Sequence, residues 1–210
     1  MKDIEYFYSA HSAYAYLGSR LFMEIARKHG RRIVHVPMDL HRVMQAAGSS
    51  AFRERTVAYR NYFFTREIER WAEYRGVRMF GRRPTHHDHS YVRANCTLIA
   101  AQEQGLDVDR LAHRILEAHW ADNADHDDPA TLVALASEVG IDGAALLAAA
   151  DTAKIRDRHE ANTQQAIARG VFGSPTYFVE GDMFYGQDRL ELVERALSLP
   201  FAETWPKVKP

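Results

Sequence analysis

A β-α-β unit, then a long helical block, then a closing α-β-β-α unit: read in that order along 210 residues, these elements predict an α/β fold of thioredoxin type, split by a large all-helical insertion. Ile4-Glu5-Tyr6-Phe7-Tyr8 is rich in aromatic and β-forming residues and reads as a buried strand. Ser9-Ala10-His11-Ser12 breaks it. Ala13–His29 then carries Tyr16, Leu17, Leu21, Phe22, Ile25 and Ala26 on one helical face, stopped by Gly30. Ile33–Val36 is a second strand closed by Pro37. A strand, helix and strand in that space demand a parallel pair.

The pattern between Asp39 and Gly170 is helical. Phe52–Gly76 reads as one helix, with Val57, Phe63, Phe64, Ile68 and Trp71 at helical spacing among arginines. Gly81–Ser90 is a loop, and Tyr91–Gln104 an apolar helix stopped by Gly105. Asp109–Trp120, Pro129–Val139, a short alanine-rich segment after Gly143, and Thr152–Arg169 complete the block. Thr176–Val179 and Met183–Tyr185 follow as a hairpin, with Gly181-Asp182 as its turn signal. A last helix, Asp188–Ser198, takes Asp188 as N-cap. The expected organisation is a discontinuous thioredoxin-like domain, 1–38 and 171–200 with the flanking helix 152–170, around a helical insertion, 39–151.

Composition narrows the function. Apolar residues make up 46% and charged residues 26%, as in a soluble globular protein. A net charge of −1 gives no reason to expect nucleic acid or an acidic membrane as partner. No leader or membrane-spanning run is visible, so a cytoplasmic location is expected. Cys96 is the single cysteine and sits among Ala94, Leu98 and Ile99, which makes it a structural thiol and excludes a Cys-x-x-Cys redox pair.

Chemistry concentrates at the two ends. In Gly173-Ser174-Pro175-Thr176, a proline at a strand entrance is a candidate cis peptide. Its preceding residue could then pair its backbone with a ligand lying alongside as an extra strand. Phe7-Tyr8-Ser9-Ala10-His11-Ser12-Ala13-Tyr14-Ala15-Tyr16-Leu17, together with Val171–Thr176 and Gly186-Gln187-Asp188-Arg189-Leu190, resembles the 2-hydroxychromene-2-carboxylate isomerases. These are relatives of the kappa-class glutathione transferases and DsbA-type oxidoreductases, which implies a thioredoxin-like fold of DsbA/kappa type.

The resemblance implies that glutathione is the cofactor and Ser12 the catalytic residue, standing where DsbA proteins carry their first redox cysteine. A hydroxyl at a helix N-terminus can donate to the thiolate of bound glutathione, and the helix dipole favours its charge. The plainer role of Ser12 alone is N-cap. The same resemblance implies that Ser174 and Pro175 pair with the cysteinyl part, that Asp188 with Gln187 holds the γ-glutamyl end, and that Val171 and Phe172 border the tripeptide. Ser49 or Ser50 and Arg60 fall where the family has an asparagine and a lysine. Ala13 replaces the family's usual proline, and His11 a small or apolar residue.

His11, Tyr14, His86 and His87 are weaker candidates for substrate contact. His86-His87-Asp88-His89 offers no i, i+4 pair on a helix and no cysteine, so no metal is expected there. The expected function is a glutathione-dependent isomerase of an aromatic or conjugated oxo-acid, with a homodimer implied by resemblance alone. The alternatives are a kappa-like transferase or peroxidase, which consumes glutathione, and a non-catalytic protein that binds extended peptide at the Ser174–Pro175 edge.

Overall fold

The computed structural model describes residues 3–49 and 54–206. Four strands form one mixed sheet in the order β2-β1-β3-β4. β1 (Ile4–Tyr8) pairs in parallel with β2 (Ile33–Pro37), from Ile4 opposite Ile33 to Tyr8 opposite Pro37. β3 (Thr176–Val179) runs antiparallel to β1, with Tyr6 opposite Tyr177. β4 (Asp182–Tyr185) closes the edge. The turn is Glu180-Gly181, with φ of 52° and 90°, one residue earlier than the sequence signal. Two positive φ values match the right-handed twist of a tight hairpin, and they leave Asp182 as the first residue of β4.

Strand alternation gives each face of β1 its own layer. Tyr6 and Tyr8 face α1 (Ala13–Lys28), where Tyr6 stacks on Tyr8 and Tyr177 with ring centroids 4.1 and 5.4 Å apart. Phe7 lies on the other face with Val36, Phe178, Ala166 and Val171. Helices α2 (Leu40–Ala46), α3 (Val57–Asn61), α4 (Glu67–Arg75), α5 (Val92–Glu103), α6 (Val108–Ala121), α7 (Pro129–Glu138), α8 (Gly143–Ala150) and α9 (Ala153–Ala168) lie between β2 and β3. Leu98, Leu116 and Leu135 of this block share one continuous apolar core with Tyr6 and Leu17. Among the described residues no helix is long and apolar enough to cross a membrane.

Two expectations change. The helix expected over 52–76 is α3, a π turn at Tyr62–Arg66, and α4, while residues 50–53 lie outside the described residues. Apolar spacing does not register an i→i+5 turn, because the side chains before and after it remain helical. Asp188 is not an N-cap: it belongs to a 3-10 turn, Gln187–Arg189, ahead of α10 (Leu190–Ser198). Its carboxylate pairs with the neighbouring Arg189 instead.

Helix α1 packs tightly against that 3-10 turn. A Cβ on Gly18 would lie 2.6 Å from Gln187 Cβ. Gly18→Ala is therefore expected to push the turn outward and to destabilise the fold by about 1–3 kcal/mol, read in urea unfolding. An unchanged midpoint would show that the turn yields freely.

Candidate active site

The site lies where β1 ends and α1 begins, at the carboxyl end of the parallel strands, where open α/β sheets place ligands. The Ser9–Ser12 turn is fixed group by group. Ser12 N–H donates to Ser9 O at 3.0 Å, and Ala10 N–H to Asn95 Oδ1 at 2.9 Å. Trp120 Nε1–H donates to His11 O at 3.0 Å, and Ser9 N–H to Ser174 Oγ at 3.2 Å. Asn95 is fully buried in α5 and also donates to Met38 O, so one amide ties the turn to the end of β2.

Ser12 is the N-cap of α1: Ala15 N–H donates to its Oγ at 3.2 Å. Its hydroxyl proton goes to Ser174 O at 3.3 Å, across the cis Ser174–Pro175 peptide. The capping and functional readings of Ser12 are thus compatible, because the cap uses a lone pair and leaves the O–H free to choose its acceptor. Ser12 and Ser174 are each 7% exposed.

The loop after Pro175 returns to the same place. Gly186 N–H donates to Pro175 O at 2.9 Å. Arg75, on α4, donates to Gln187 Oε1 at 3.1 and 3.0 Å and to Gln187 O at 3.1 Å. Gln187 is therefore a buried strut to α4, and its Nε2 has no hydrogen-bond partner among the described residues. Asp188 is exposed beside it. Phe172 packs its ring against Tyr185 at 4.6 Å, and both are partly open to solvent. Tyr14, half-buried, donates its hydroxyl to Phe63 O of the π turn; burial holds its phenol well above the ordinary range, so it stays protonated.

Other sequence candidates are more scattered. Arg60 is half-buried on α3 and Ser49 follows α2, both apart from the Ser9–Ser12–Ser174 hydrogen bonds. Ser50 lies outside the described residues. A hollow of about 310 Å³ lined by Ala46, Ala47, Ile167, Gly170, Val171 and Phe172 brings the end of α2 beside the Val171–Phe172 loop.

His11 opens onto a wall of histidines. Its ring stacks on Tyr91 at 4.0 Å and lies 5.2 Å from that of His87. His87 Nδ1 meets His119 Nε2 at 2.8 Å, and His119 Nδ1 meets Ala124 O at 3.2 Å and His126 Nδ1 at 2.9 Å. A carbonyl only accepts, so His119 carries its proton on Nδ1 and takes one from His87 Nδ1–H on Nε2. Burial lowers these pKa values, to about 4 for His87 and His126 and about 2 for His119; the other histidines lower that of His11 further. The wall is neutral at pH 7. His86 faces away from it, toward His89 and Asp125.

Sequence reasoning missed Ser9, Arg75, Asn95, Tyr91 and Trp120. Asn95 alone left a signal, as an amide inside the apolar run Ala94–Ala101.

A helix-capping serine set against a cis-proline loop, on this mixed four-stranded sheet, defines a protein of thioredoxin-like, DsbA-type fold. The DSBA-like thioredoxin domain model matches residues 3–198, and the chain belongs to that family. It is 28% identical to the 2-hydroxychromene-2-carboxylate isomerase of Sphingobium xenophagum over 201 residues, covering 93% of this chain and 98% of that one. A solved structure of 2-hydroxychromene-2-carboxylate isomerase superposes with a TM-score of 0.79 at 23% identity, over 92% of this chain and 93% of the other. The cytosolic disulfide reductase DsbM of Pseudomonas aeruginosa, solved with GSH, gives 0.65 at 16%, over 94% and 93%. At those identities the two structures establish the shared fold.

The neutral wall has a cost in acid. Below pH 6.5 the unfolded chain binds protons that buried His119 and His126 refuse, so stability falls as pH falls toward 4. Each such group removes about 1.4 kcal/mol per pH unit in that window. Urea unfolding across pH 7 to 4 should show this slope, reduced by about one proton in His119→Gln. A flat profile would contradict neutral burial.

Proposed function

We propose that the chain is a glutathione-dependent isomerase of the 2-hydroxychromene-2-carboxylate type. The observation that carries this reading is the Ser12 hydroxyl at the N-terminus of a 16-residue helix, facing Ser174 O beside the cis peptide. The isomerase relative, similar over nearly its full length, supports the reaction class, and the GSH-bound fold neighbour supports the ligand. Cys96 is buried, with its thiol pushed up to about 11, so it is no candidate for the nucleophile, and a thiolate must arrive with a cofactor.

In this reading Ser174, beside Pro175, would pair with the cysteinyl backbone of glutathione, and Asp188 would pair with its γ-glutamyl ammonium. Ser12 Oγ–H would turn from Ser174 O to the sulfur while Ala15 N–H still caps the oxygen. When bound, glutathione would supply a thiolate for reversible addition to a conjugated carbon of the substrate, which frees the former double bond to rotate and leaves glutathione unconsumed. His11, Tyr14 and His87 line the substrate side as neutral hydrogen-bonding groups, with His86 behind them, and Arg60 and Ser49 would border the far end of the tripeptide. A cytoplasmic homodimer belongs to the same reading.

Calorimetric titration should show micromolar-to-millimolar glutathione binding that Asp188→Ala weakens. With hydroxychromene-type acids, turnover should leave glutathione undiminished, and Ser12→Ala should lower kcat by about 10²-fold, the range for losing one donor to a developing anion. Absence of binding at several millimolar would sink the reading. Stoichiometric loss of glutathione would replace the isomerase with a transferase.

A further inference from the structure

Two loops behind the site meet at an arrangement that the reaction does not use. Loop 81–90 and loop 122–128 are stapled by one reciprocal pair: Thr85 N–H donates to Asn123 Oδ1 at 2.7 Å, and Asn123 Nδ2–H to Thr85 Oγ1 at 3.0 Å. Asn123 holds φ of 59° to make that geometry. Within the first loop His89 N–H donates to His86 O at 3.0 Å, a tight turn that sets the two rings side by side, with centroids 5.0 Å apart. His87, between them, points the other way, onto His119.

The second loop supplies Asp125. Its Oδ2 lies 2.8 Å from His89 Nδ1 and 3.6 Å from His86 Nδ1. Its Oδ1 accepts from Asp127 N–H at 3.0 Å, which fixes the carboxylate with Oδ2 toward the histidines. The three donor atoms lie within 4.8 Å of one another. Ligands about 2.0–2.1 Å from a tetrahedral centre are separated by about 3.3–3.5 Å, so small side-chain rotations would bring all three into a coordination shell. Asp125 is 21% exposed, whereas His86 and His89 are 36% and 51% exposed, so the tripod stands on a covered carboxylate and opens to solvent.

We propose that His86, His89 and Asp125 form a binding site for a divalent transition-metal ion, with water completing the shell. Two imidazoles and one carboxylate suit zinc, cobalt or nickel; magnesium and calcium call for all-oxygen sets. The sequence motif suggested no metal because its third ligand comes from 36 positions beyond His89, brought in by α5 and α6. An ordinary surface ion pair would need only one histidine against Asp125; here a second converges on the same oxygen. Loading would pin the loop that carries His87, and through it one wall of the Ser12 site.

The test is calorimetric titration of tag-free, chelator-treated protein with Zn²⁺, with Co²⁺ absorption reporting the coordination shell. The expected result is one equivalent bound, weakened at least about tenfold by Asp125→Asn and by His89→Gln, scaled to the loss seen when groups supporting a metal site are removed. At one zinc concentration the thermal midpoint of the wild type should rise more than that of either variant, while the metal-free midpoints confirm that both variants fold. No binding at millimolar zinc would overturn the proposal. Binding that survives in the His89→Gln, Asp125→Asn double variant would overturn it equally, by placing the ion elsewhere, such as on the His87–His119–His126 row.

Discussion

The hydroxyl of Ser12 sits between two backbone groups that belong to opposite ends of the chain. Ala15 N–H, in the first turn of α1, points at its oxygen, and Ser174 O, beside the cis peptide, receives its proton. The helix termini and the sheet are built so that these two groups converge. The parallel pairing of β1 with β2 directs the first turn of α1 to one sheet end, and the antiparallel return of β3 brings the Ser174–Pro175 loop to the same end. A hydroxyl so placed has one fixed duty, as cap, and one proton whose acceptor can change. That proton is what a thiolate would use.

Around that contact the helical block does two kinds of work. Asn95 and Trp120 satisfy turn groups that burial would otherwise leave without partners, and such satisfaction is what lets an irregular turn stay buried. The histidines beyond His11 supply polar surface without charge, because burial outweighs their tendency to protonate. In the proposed reading an uncharged wall would neither neutralise nor repel an anionic sulfur, and the helix N-terminus and Ser12 would be the local groups that favour the anion.

Much of this was legible in the residues. The strands, the helical stops at Gly30 and Gly105, the Ser12 turn and the Gly173–Thr176 entrance follow from local chemistry: breakers, caps and β-formers act over a few positions. The DSBA-like family assignment agrees with the motif resemblance. What stayed hidden depends on long-range packing. Apolar periodicity cannot separate a helix from a helix with a π turn, so 62–66 passed unseen. Asp188 has the chemistry of an N-cap, but the 3-10 turn at 187–189 moves the start of α10 past it. Arg75 is one of six arginines between positions 52 and 76, and only the fold selects it to hold Gln187. Asp125 reads as one more acid in an acidic loop until the fold sets it against His86 and His89.

The most direct measurement of the central claim is the thiol pKa of glutathione bound to the protein, followed by the ultraviolet absorption of the thiolate as pH is raised. The account predicts a value clearly below the ~8.5 of a free thiol in the wild type, and a return toward it in Ser12→Ala without loss of binding. A bound thiol that titrates like free glutathione, or one whose lowered pKa is unchanged by Ser12→Ala, would contradict the role given to the Ser12 hydroxyl.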